Sequence, residues 1–217
     1  MKIRLRRARK KDVNQVVMVD NQSWPRPLWT SREQFLSRLK TFPEGFIVAD
    51  NGGHIIGVIT SMRTRREWII REQPSWREVT DDGYIAGTHD PGGDCLFLIA
   101  VNVSPEVRGV TLGNRLIDAE IELAASLEGI ESVLGYTRVP RYKRFAEMPI
   151  DRYIKMQRRS GEPYDSVLRF HVRNGAEILH PIKDGRPEDA DSLGYGVLIS
   201  YDAKLRERKR THQKTRA

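Results

Sequence analysis

Apolar and polar residues alternate over 3–8, with Ile3 and Leu5 on one side and Arg4 and Arg6 on the other, which predicts a strand. Over 11–21 the period lengthens to that of a helix, through Val13, Val16, Val17 and Asp20, and the helix should stop before Pro25 and Pro27. Ser31 is placed to cap a second short helix with Phe35, Leu36 and Leu39 inside and Pro43 at its end. Apolar stretches over 46–50 and 54–62, joined at Asn51, Gly52 and Gly53, predict a hairpin. Between 63 and 93 the periodicity fails, and Trp68, Trp76, several acids and Gly/Pro punctuation mark a long insertion. A nearly continuous apolar run over 96–103 reads as a central strand buried on both faces.

After it comes the clearest helix, 111–127, with a stripe of Leu112, Leu116, Leu123, Ala124 and Leu127. A strand over 131–139 ends at Pro140, and a second insertion over 141–163 should be partly helical through Tyr153 and Met156. A short helix over 165–173 meets Asn174 and Gly175, a good C-terminal stop. Strands over 178–182 and 195–201 complete the order. No repeat or linker divides it, so one mixed α/β domain with two insertions, over 1–203, is the economical reading.

Composition narrows the class. A chain of 217 residues, 39% hydrophobic and 30% charged, can bury a real core, and no stretch approaches the ~20 apolar residues of a membrane helix. The start is basic with no apolar run behind it, so no signal peptide and a cytoplasmic location are expected. A single cysteine, Cys95, excludes an internal disulfide and a thiolate zinc cluster; on an apolar strand with no partner histidine indicated, it is a poor nucleophile. No metal is expected.

The net charge of +8 points at first to an anionic partner. Its distribution changes that. Residues 1–11 carry seven cations and no acid, residues 204–217 carry seven cations against Glu207, and 12–203 is left at about −5. The basic end 204–217 is expected to be a disordered accessory tail. Nucleic-acid binding through the basic ends would rest on charge alone, with no aromatic platform behind it.

The segment 96–127 carries the chemistry. A buried strand ends, Arg108, Gly109 and Gly113 make a tight turn, and a long helix begins, so free backbone N–H groups and the positive helix end converge on one point. Such a turn either binds phosphate or is an ordinary strand-to-helix connection. With the order of elements around it, the chain resembles the GNAT superfamily of acyl-CoA-dependent N-acyltransferases. That family's phosphate loop reads Arg or Gln, two residues, Gly, one residue, then Gly or Ala, and here stands Arg108, Gly109, Val110, Thr111, Leu112, Gly113. Thr111 departs from the pattern: its β-branch restricts the backbone, while its hydroxyl could cap the helix or meet a phosphate oxygen. Finer similarity, in Phe42-Pro43-Glu44-Gly45, Thr88-His89-Asp90-Pro91 with Gly93-Asp94, and Ser192-Leu193-Gly194-Tyr195, points to GNAT domains that in other proteins precede a nitrilase-like carbon-nitrogen hydrolase. The 217 residues hold no such portion, and no amidase activity is expected to carry over.

The resemblance implies a mixed, mostly antiparallel sheet of about seven strands flanked by helices, with acetyl-CoA or another acyl-CoA as co-substrate and an amine, on a small molecule or a protein, as acceptor. It implies direct attack of the amine on the thioester within a ternary complex. Backbone groups at Val101 and Val103 would hold pantetheine, and Arg108, Gly109, Val110, Thr111, Leu112 and Gly113 the pyrophosphate. Many relatives carry an acidic Tyr four residues before the Gly that ends the late helix. That position is His171 here, preceded by Phe170, and a histidine could protonate the CoA thiolate or hydrogen-bond the sulfur. The central strand has no acid, so either water relays the proton with no committed base, or the base is Asp94 at the strand's start, then His89 or Asp90. The acceptor is expected between the two insertions, near Glu67, Glu72, Glu78, Asp81 and Asp82 of the first. Arg138, Arg141, Tyr142, Lys143 and Arg144 are either contacts to CoA phosphates or an acidic acceptor, or plain surface charge. The resemblance leaves a homodimer open, and a catalytically weak CoA-binding or regulatory module stands as the alternative to an enzyme.

Overall fold

The computed structural model describes residues 3–107 and 111–202. Arg108, Gly109 and Val110 of the expected phosphate loop, and the basic tail, lie outside the described residues. Seven strands form one sheet in the order β1-β2-β3-β4-β5-β7-β6: β1 (Arg4–Arg7), β2 (Phe46–Asn51), β3 (His54–Thr64), β4 (Cys95–Val103), β5 (Ser132–Thr137), β6 (Ala176–Ile182) and β7 (Gly196–Tyr201). Every neighbouring pair is antiparallel except β4 with β5. This is the mixed, mostly antiparallel sheet expected. The β2–β3 hairpin turns at Gly52 and Gly53, both with positive φ (65° and 96°), a backbone that only glycine adopts freely.

Alternation along β2 and β3 sorts the two faces. Phe46, Val48 and Val58 pack against α1 (Val13–Ser23) and α2 (Arg32–Thr41), through Val13, Val16 and Phe35. Ser31 caps α2 in a reciprocal box with Gln34, as its sequence position predicts. Ala49 and Ile59 look the other way, toward the core that Leu112, Leu116, Ile117 and Ile121 of α5 (Leu112–Ser126) complete.

The first insertion is more ordered than its broken periodicity suggests. It holds α3 (Arg66–Glu72) and α4 (Trp76–Thr80), both too short to show a period. The fully buried Arg38 of α2 fastens it by donating through Nε to the Gly83 carbonyl (2.7 Å), beside Ser37 Oγ to the Tyr84 carbonyl (2.8 Å). In the second insertion, α6 (Ile150–Tyr153) and its flanks bring Tyr142, Tyr153, Phe145 and Tyr164 into a small aromatic core. Within it the Tyr153 hydroxyl donates to Asp165 (2.9 Å), whose other oxygen caps α7 (Ser166–Arg173) at the Val167 amide (2.8 Å). The insertion thereby fixes the helix that carries His171. No helix among the described residues is long and apolar enough to cross a membrane.

Candidate active site

β4 and β5 pair only from Cys95 and Ser132 to Leu98 and Gly135. Beyond that point they part, because β4 bulges: Thr60 of β3 stands opposite Ala100 and Ser61 opposite Leu98, so Ile99 has no residue facing it across β3. The gap opens into a cavity of about 330 Å³, lined by β4 from Leu98 to Val103, β5 from Gly135 onward, Gly113 and Ile117 of α5, and Phe170 and His171 of α7. Backbone groups of two strands that no longer pair face a narrow, mostly apolar space. Such a lining suits a thin chain carrying amides, and the start of α5 stands at its rim.

Val101 and Val103 both line the cavity, though the Val103 carbonyl already accepts a bond from Ser23 Oγ (3.3 Å). Gly113 lines it too, and a Cβ there would come within 3.0 and 3.1 Å of the Phe170 ring, so the missing side chain lets α5 and α7 approach. Leu112 instead points into the core. Thr111 precedes α5 as its N-cap residue but makes no capping bond through its hydroxyl.

His171 is buried, and its Nδ1 lies 2.7 Å from the Tyr201 hydroxyl. Burial, with no charged partner, pushes its pKa down to about 4, so the ring is neutral at physiological pH. Asp94 is not among the cavity residues. It sits before β4, at the strand's other end, where its Oδ1 accepts the Arg66 amide (2.8 Å). His89 and Asp90 are likewise used elsewhere: His89 Nδ1 accepts the Arg63 amide (3.2 Å), and Asp90 pairs with Arg65 (2.6 Å). Cys95 is fully buried, and desolvation pushes its thiol up to about 12, consistent with an inert core residue.

The polar end of the cavity was not foreseen. Trp24, which follows α1, donates its indole N–H to Asn102 Oδ1, and Asn102 Nδ2 donates to Asp20 (2.8 Å). Asp20 also accepts the Thr30 amide (2.8 Å), yet burial still raises its pKa to about 6. Arg138 grips Asp189 with two bonds of 2.5 and 2.6 Å. Arg186 lies over the rings of Trp76 (4.8 Å) and Trp24 (5.6 Å), with Nη2 3.4 Å from the bulged Ile99 carbonyl. It is 6% exposed, lines the cavity, makes no ion pair among the described residues, and its Nε has no partner. Burial lowers its pKa to about 10, which leaves it charged at neutral pH. The Tyr136 hydroxyl, in the same lining, is also buried without a hydrogen-bond partner among the described residues. Asp184-Gly185-Arg186-Pro187 reads as a solvated turn, and nothing local marks its arginine as buried. Neither insertion lines the cavity; the first contributes Trp76 as the floor beneath Arg186.

The pattern of the acetyltransferase (GNAT) family matches residues 11–144. An uncharacterized N-acetyltransferase, YkwB of Bacillus subtilis, is 32% identical over 203 residues, covering 88% of this chain and 84% of YkwB. The probable hydrolase YhcX of the same organism is 31% identical over 202 residues, which cover 93% of this chain and only 39% of YhcX. Among solved structures, the loading GNATL domain of CurA from Lyngbya majuscula superposes with a TM-score of 0.86 at 27% identity, covering 94% of this chain and all of that domain. The GphF GNAT-like decarboxylase, in complex with isobutyryl-CoA, gives 0.76 at 33% identity over 92% of this chain and 99% of its own.

Proposed function

Since the chain belongs to the acetyltransferase (GNAT) family, we propose that it is an acyl-CoA-dependent N-acyltransferase that moves an acyl group, acetyl first among them, onto a primary amine by direct attack. The observation that carries this reading is the parting of β4 and β5 after Leu98 and Gly135, which opens the cavity beside the start of α5. The thioester lies in that gap, with the phosphates toward 108–113 and the free amides of the first turn of α5. The amine nitrogen bonds to the thioester carbon, the carbon–sulfur bond breaks, and the thiolate takes up a proton. Neutral His171 hydrogen-bonds the reacting group rather than donating as an imidazolium. With Asp94, His89 and Asp90 away from the cavity, the amine's proton leaves through water.

A fluorescence-monitored melt tests binding. Acetyl-CoA at a hundredfold excess over its dissociation constant stabilises the fold by about 2.7 kcal/mol. A screen of amines for thiol release then tests transfer; absence of any shift with acyl-CoAs overturns the reading in favour of a module that has lost CoA binding.

Arg186 favours a second reading. A buried guanidinium that bonds directly to no carboxylate among the described residues, at the polar end of the cavity, suits an acyl group that carries its own carboxylate. GphF, a GNAT-like decarboxylase, is 33% identical. On this reading the bond from the α-carbon to the carboxylate breaks, its electron pair passes into the thioester carbonyl, and the α-carbon then takes a proton. Incubation with malonyl-CoA and no amine separates the two: carbon dioxide release with the thioester intact marks decarboxylation, and thiol released only when an amine is present marks transfer.

A further inference from the structure

The late helix ends in a contact that no feature of the sequence announces. Tyr201 is the last residue of β7, held on both sides in the sheet, opposite Val133 of β5 and Ala176 of β6. Its hydroxyl therefore has a fixed position, 2.7 Å from His171 Nδ1. Both side chains are buried, and neither the hydroxyl nor the imidazole has another hydrogen-bond partner among the described residues. Burial raises the phenol's pKa, so the hydroxyl keeps its proton.

Two arrangements satisfy this pair. If Nδ1–H donated to the phenol oxygen, the phenol O–H would be a buried donor with nothing to receive it, and Nε2 would offer only a lone pair. If the phenol donates to Nδ1, its proton is satisfied, and the ring's one remaining hydrogen sits on Nε2 of a residue that lines the cavity. A buried donor without an acceptor costs more than the bond gains, so the second arrangement wins. We propose that Tyr201 is a positioning residue that fixes His171 as the Nε2–H tautomer, making it a neutral hydrogen-bond donor to the carbonyl oxygen or sulfur of a bound thioester. The identity of the bound group rests on the reading of the cavity given above; the tautomer does not.

The test is nitrogen-resolved NMR of the full chain labelled at histidine, with His171 assigned by its loss in His171→Asn. At neutral pH the wild-type ring carries its hydrogen on Nε2, and in Tyr201→Phe the ring shifts toward a mixture of tautomers. A wild-type ring protonated on Nδ1, or a tautomer indifferent to Tyr201→Phe, overturns the proposal, and the wild-type spectrum decides even where the variant folds poorly. Neither result requires turnover, so failure to find a substrate leaves the test intact. Where thiol release is measurable, Tyr201→Phe lowers kcat by about tenfold with KM for the acyl-CoA unchanged; a change in KM alone counts against a role in orienting His171.

Discussion

Arg186 holds a full charge in a place where charge is costly. A lone guanidinium in a protein interior loses its hydration, and two indole faces replace only part of it. Asp189 offsets part of that charge through space but makes no direct bond to it, and Arg138 takes both its oxygens. An anionic group entering the cavity would find that cation already desolvated and in contact with Trp24 and Trp76. Arg186→Gln keeps comparable length but removes the charge. It is expected to weaken a carboxylate-bearing ligand by about 30-fold, the worth of one hydrogen bond to a charged group, while leaving acetyl-CoA binding nearly unchanged. Calorimetric titration with malonyl-CoA and acetyl-CoA side by side checks it, and equal losses for both would sink the carboxylate role.

At the scale of elements, the site depends on two close approaches. Gly113 admits the Phe170 ring against the first turn of α5, and the bulge at Ile99 bends β4 away from β5. One turn further along α5, Leu116 packs beneath Gly57 of β3, and further still Glu120 is wholly buried. Glu120 accepts a hydrogen bond from Ser61 Oγ (2.7 Å), while its other oxygen has no partner. Desolvation raises its pKa from the ordinary 4.5 to about 8, so the native state keeps a proton that the unfolded chain releases above 4.5. The native state then binds more protons than the unfolded one throughout that window, and stability falls as pH rises from about 4.5 to about 8. Glu120→Gln removes the titration. Urea unfolding at about pH 5.5 and about pH 7.5, both inside the window, should show a declining stability in the wild type and a flatter one in the variant.

For the whole molecule, the charge that first suggested an anionic partner separates from the site. β7 ends at Tyr201 opposite Val133, near the start of β5, whereas the turn into α5 follows Val103 at the far end of β4. The described residues thus end, at Asp202, at the opposite end of the sheet from Val103, and the basic segment 204–217 follows in the sequence. Its removal is expected to leave acyl-CoA affinity unchanged within about twofold and to weaken any adsorption to polyanions, which salt-dependent binding assays would register. A large loss of acyl-CoA affinity on truncation would mean that the basic end reaches the ligand. The two insertions act at this scale as well. One supplies the Trp76 floor and the other Tyr153, whose hydroxyl holds the Asp165 cap of α7, so both shape a cavity they do not line.

What the sequence determined by itself was whatever local periodicity and turn chemistry dictate. The apolar run of β4, the stripe of α5, the glycine hairpin and the Ser31 cap each depend on neighbours a few residues away, and the resulting order of elements carried the family resemblance. That resemblance, not periodicity, drew attention to His171, through its spacing from Gly175, and to Val101, Val103 and Gly113, all of which line the cavity. The Asp94 expectation depended on nearness along the strand, and a strand of nine residues separates its two ends by about 30 Å at ~3.3 Å per residue. Arg186, Trp24 and Asn102, which line the gap, and Tyr201, which meets it through His171, come from four separate parts of the chain, and only the folded sheet brings them together. Their burial is a property of that packing: the same arginine in an exposed turn would be an ordinary solvated charge, and the same tyrosine without His171 an ordinary core residue.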